Sequence, residues 1–116
     1  MKYMLLIYTD PVSDRSGDVE AMYAEYGALA KELAEAGKMV AGDELSDAQT
    51  GTLVRVRDGE RLVTDGPYSE TKEHLGGYFV VEAADLDEAI GWAAKIPGAK
   101  HGTIEVRTIA EGPGPH

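Results

Sequence analysis

Tyr3-Met-Leu-Leu-Ile-Tyr8 is a β-prone run that is apolar on both alternating faces, with Tyr3, Leu5 and Ile7 on one side and Met4, Leu6 and Tyr8 on the other. A strand of this kind needs cover twice. Gly77-Tyr-Phe-Val-Val81 has the same two-sided character. These two runs decide the fold, because the rest of the chain supplies helical cover for only one side of a sheet.

Working outward, Val19, Met22, Tyr26, Leu29 and Leu33 recur at spacings of three and four, the stripe of an amphipathic helix that Gly37 ends as a left-handed cap. Asp85 is placed to accept from the orphan amides of a second helix, whose buried stripe is Leu86, Ala89, Ile90 and Ala93 with Trp92 at its margin. Pro97-Gly98 stops that helix. Further strands are expected over 39–43, 52–57, 61–64, 77–82 and 103–109, and Asp58-Gly59 is a strong two-residue hairpin signal between the third and fourth strands of the chain. The order is β-α-β, a hairpin, then β-α-β. Setting the hairpin's extra strand aside leaves an α+β, ferredoxin-like split β-α-β arrangement, an antiparallel sheet with two helices on one face. The uncovered face predicts an obligate homodimer, sheet facing sheet. Burial of roughly 1,000 Å² or more at about 25 cal/mol per Å² would rival the whole stability of a small domain.

Composition narrows the function. With 116 residues the chain suits one domain, expected over 1–110, and Glu-Gly-Pro-Gly-Pro-His at 111–116 reads as a disordered tail. A formal charge of −10 disfavours nucleic acid and anionic membrane surfaces as partners. The absence of cysteine excludes disulfides, thiolate nucleophiles and Cys-based zinc sites. No run is apolar and long enough to span a bilayer, and the apolar opening is too short for a signal peptide, so a cytoplasmic location is expected.

The candidate chemistry lies in Leu62 to Gly77, LVTDGPYSETKEHLGG. Asp65-Gly66-Pro67 has the letters of a tight turn, and a carboxylate at a strand end beside a cavity can also serve as a general base. Glu70 and His74 are four apart, so on a helical turn they would share a face as a carboxylate and imidazole pair; a solvated turn is the plainer reading. No third ligand is enforced by the spacing, so no metal is expected, nor any cofactor. Gly76 and Gly77 suit a bulge or a close backbone approach. If Ile104 and Val106 face the helices, Glu105 and Arg107 face the dimer, where they pair or where Arg107 grips an anion. Arg55 joins that set of charges, and His101 stands where a cavity mouth could lie. No Ser-His-Asp order, Walker loop, dinucleotide fingerprint or zinc-protease motif occurs.

Val63-Thr-Asp-Gly-Pro-Tyr68 and the Glu70, Lys72, Glu73, Gly76 and Gly77 that follow resemble the signature of the YCII-related family, in its DGPF-domain branch, with Tyr68 where phenylalanine is usual. The opening MKYMLLIY, VRVRDG at 54–59, DLDEAIGWAAKIPGA at 85–99 and GTIEVRTI at 102–109 extend the likeness over nearly the whole chain. The resemblance implies a ferredoxin-like domain that dimerises into an α/β barrel. It also implies a possible His and Asp acid-base pair; the first helix here carries Tyr23 and Tyr26 and no histidine, while Asp65 is kept. An association of the branch with extracytoplasmic-function sigma factors implies a regulatory setting.

Three functional readings follow. The first is a homodimeric small-molecule-binding or regulatory protein with a polar pocket lined by Asp65, Glu70, His74, Tyr78 and Arg107. The second is a cofactor-free enzyme doing proton-transfer or lyase chemistry on a small anionic substrate, with Asp65 or His74 as base and Arg107 as anion clamp. The third is a docking module for a sigma-factor-linked protein.

Overall fold

The computed structural model describes residues 1–10, 19–46, 48–66, 68 and 72–111. Among these residues six strands and two helices run β1 (Lys2–Thr9), α1 (Val19–Glu35), β2 (Met39–Glu44), β3 (Thr52–Arg57), β4 (Glu60–Asp65), β5 (His74–Glu82), α2 (Leu86–Ala94) and β6 (Thr103–Thr108), with short 3-10 turns at Ala48–Thr50 and Pro97–Lys100. Four strands form one antiparallel sheet in the order β2-β5-β1-β6, the ferredoxin-like arrangement, and β3 and β4 form a separate two-stranded sheet.

The two-sided β1 sits inside that sheet, between β5 and β6. On one side Tyr3, Leu5 and Ile7 join Phe79 and Val81 of β5, and Leu29 and Leu33 of α1 with Ala89 and Ala93 of α2 close over them as the core. Both helices therefore lie on one face. The register puts Met4 and Leu6 opposite Val80 and Tyr78 on the other face, and on the β6 side opposite Arg107 and Glu105. This is the side expected for those two charges. Tyr8 donates to Glu105 Oε1 at 3.3 Å and Tyr78 donates to Asp43 Oδ2 at 2.6 Å, so the open face alternates apolar side chains with carboxylate and phenol pairs.

Local signals are realised closely. Gly37 has φ 72 just after α1, and the hairpin turn has φ 52 at Asp58 and 79 at Gly59, the paired positive values of a type I′ turn. Asp85 Oδ1 accepts from Glu88 N at 2.9 Å, while Glu88 Oε2 accepts from Ala84 N at 2.8 Å.

Three expectations are corrected. β5 starts at His74 rather than Gly77, because pairing with Thr9 and Tyr8 carries the strand back through a bulge at Gly76. Gly77 then lies so near β2 that an added Cβ would stand 2.9 Å from the Asp43 carbonyl oxygen. In α2, Leu86 and Ile90 are about half exposed, whereas Ala89, Ala93 and the following Ile96 are buried. Small alanines let the helix approach the sheet closely, and the branched residues fall to its flank. In α1 only Leu29 and Leu33 of the expected stripe are fully buried; Val19 is exposed and Met22 and Tyr26 are half-buried, because the first half of the helix stands off the sheet. The expected tail lies, apart from Glu111, outside the described residues.

Candidate functional site

Where α1 stands off the sheet it leaves a cleft of about 650 Å³ above the β2–β5 side. Its size suits a small molecule. The helix contributes Met22, Tyr23 and Tyr26, β1 contributes Ile7 and Thr9, and the early start of β5 brings His74 to the wall. Glu44 and Leu45, at the end of β2, close the side.

The polar groups in this largely apolar cleft are held in place. Tyr23 donates to Glu44 Oε1 at 3.0 Å, and that carboxylate pushes the Tyr23 phenol above its usual value, so the ring keeps its proton. Tyr26 accepts from Gly98 N at 3.2 Å and stacks on Phe79, with ring centroids 6.5 Å apart. Thr9 is buried at the floor, and His74 pairs with it across the β1–β5 ladder. The arrangement offers a carboxylate fixed by a phenol, a second phenol, a hydroxyl and an imidazole around an apolar hollow.

The other residues singled out in the sequence are dispersed. Asp65 ends β4 and is exposed; its neighbour Gly66 donates to the Gly51 carbonyl at 2.6 Å, one step beyond the Thr52 and Asp65 pair of the β3–β4 ladder, and Pro67 of the expected turn lies outside the described residues. Arg107 lies on the opposite side of the sheet, and the side chain of Tyr78 faces that way too, bonded to Asp43. A shallower hollow on that open face is lined by Tyr8, Lys72, Glu73, Thr103 and Glu105. Arg55 is exposed on the hairpin, and His101 is exposed in the turn before β6. Glu70 lies outside the described residues, and His74 opens a strand rather than sitting on a helical turn. Among the described residues no three His, Asp or Glu side chains converge as a metal site.

Sequence reasoning did not find the roles of Met22, Tyr23, Thr9 and Glu44. The one available signal was in α1, where the polar-tipped Tyr26 sits in the apolar stripe and Tyr23 beside it. Two phenols on neighbouring turns are a costly filling for a dry core and a good lining for a wet one.

A model of the YCII-related domain matches residues 1–112. A protein of Rhizobium meliloti (strain 1021), described as uncharacterised, is 32% identical over 115 residues, which are 95% of this chain and 93% of that protein.

Proposed function

The chain belongs to the YCII-related domain family, and on that premise we propose that it is a small-molecule-binding protein whose ligand enters the cleft between α1 and the sheet. The observation that carries this is the cleft itself, about 650 Å³ of apolar wall with a few converging polar groups. The ligand fitting it is a compact apolar body bearing a hydrogen-bonding group for Glu44, Thr9 or His74. In this proposal the working unit is a homodimer: Tyr78 and Arg107, on the open face, serve the contact with a second copy, and the dimer adopts the α/β barrel form. The DGPF-like signature around Asp65 supports a regulatory setting beside a sigma-factor-linked partner, with occupancy of the cleft as the signal.

The test uses the helix position that the cleft leaves free. A Cβ added at Gly27 meets no atom within 4 Å, so Gly27→Leu projects a side chain into the cleft without a clash. Titration of the wild-type chain with a fragment library, followed by amide shifts, is expected to give saturable hits centred on Met22, Leu45 and His74 that Gly27→Leu removes. Hits that survive the substitution, or none at all, reject the cleft as the site.

A second reading, acid-base chemistry on the bound molecule, is favoured by His74 on the cleft wall. It separates from binding alone through His74→Gln: a binder keeps most of its affinity and has no turnover to lose, whereas an enzyme loses turnover at nearly unchanged affinity.

A further inference from the structure

We propose that the β3–β4 hairpin is an arm that clasps a second copy of this chain, laying its valine face on that copy. The inference rests on the homodimer reading and deepens it by naming the contact. Cross-strand pairing sets Val54 against Val63 and Val56 against Arg61. These side chains share one side of the hairpin, and each of the three valines is 60% exposed. Among the described residues no helix or other sheet packs closely on them, since β3 and β4 pack chiefly on each other. A two-stranded hairpin alone is marginal in water and a row of bare β-branched residues is an association surface, so the arm is complete only with something seated on it.

Charge favours a second copy as the occupant. The arm carries Arg55, Arg57 and Arg61, three of the five arginines of the sequence, and none of them pairs with a carboxylate among the described residues. Within the arm they balance Asp58, Glu60 and Asp65, so the rest of the chain bears the whole formal charge of −10. A second copy therefore offers an acidic surface to guanidinium groups that have no carboxylate partner among the described residues, Arg57 donating only to the Val56 carbonyl at 3.0 Å. In a two-fold dimer both arms are buried at once by the same contact.

The experiment is sedimentation equilibrium of the full chain and of the double variant Val54→Glu with Val63→Lys, which makes the valine face polar, keeps opposite charges across the pair and leaves net charge unchanged. Thr64→Lys, on the other face of the hairpin, is the control. The expected result is a wild-type dimer, a double variant whose dimer dissociates at least about 100-fold more readily, and an unchanged control. A double variant that dimerises like the wild type overturns the clasp while leaving the dimer standing, and a wild-type monomer overturns both. Because the chain has no cysteine, a second measurement needs no change to the valines: a spin label on Glu60→Cys, mixed with unlabelled-cysteine-free, isotope-enriched chain, is expected to broaden amides in the enriched copy. Broadening absent from a confirmed mixed dimer contradicts the clasp.

Discussion

At the scale of single residues, the sheet depends on places where a side chain is absent. Gly77 faces β2 across so short a gap that Gly77→Ala would put its Cβ 2.9 Å from the Asp43 carbonyl oxygen, a backbone atom that cannot swing aside. The expected cost is about 1–3 kcal/mol, the usual scale of overpacking, measured by urea unfolding. Gly27 is the opposite case. Space is open there, and leucine relieves the entropy of a helical glycine, so Gly27→Leu is expected to raise stability by up to about 1 kcal/mol while it blocks the cleft. A filled cleft with lowered stability would contradict the geometry on which that substitution rests. These residue-level features were legible only in part: Gly76 and Gly77 could be read as a bulge or close approach, but the identity of the neighbour, Asp43, is a matter of register.

Among the elements, α2 is the most completely written in the sequence. Its cap, Asp85, and the Glu88 that reaches back to Ala84 appear as Asp85-Leu-Asp-Glu88, and the side chains do what that spacing allows. Asp85→Ala is expected to cost about 1 kcal/mol in thermal or urea unfolding. The hydrogen bond from Ala84 N, and then Lys38, hold the Glu88 carboxyl below its usual range; the N-terminal amine does the same for Glu82. A carboxylate with a depressed folded-state pKa stabilises the fold above the ordinary carboxylate range, and that contribution is lost as pH falls through the folded-state value. Melting temperature is therefore expected to decline on acidification below the ordinary carboxylate range, and less steeply in Glu88→Gln; an identical acid limb in that variant would exclude the residue as a contributor. What the sequence concealed in α2 was its facing. Leu86 and Ile90 look like core by hydrophobicity, but Ala89 and Ala93 make the closer contact, and close contact decides which stripe is buried. In α1 the apolar stripe was legible but the lift of its first half was not, since that depends on how far the sheet extends beneath it, and β5 extends back to His74 through residues with little strand preference of their own.

For the whole molecule, strand order and the shared side of the helices follow from the two apolar faces of β1 and from the β-α-β connections, which is why the ferredoxin-like arrangement could be read in advance. The site could not, because the cleft residues come from β1, α1, β2 and β5 and nothing in their spacing ties them together. The shape carries the largest consequence. The chain is 48 × 43 × 18 Å with a radius of gyration of 16.0 Å, against about 13 Å for a compact domain of this length. In the proposed dimer this plate meets a second copy across the face of β1 that carries Met4 and Leu6, with the arm reaching over that copy. Small-angle scattering of the full chain at micromolar concentration tests this most directly. Two copies joined across that face and clasped by their arms predict a forward-scattering mass of twice 12.4 kDa that persists on dilution. A mass of 12.4 kDa with a radius of gyration near 16.0 Å would be the free plate in solution, and would contradict the account.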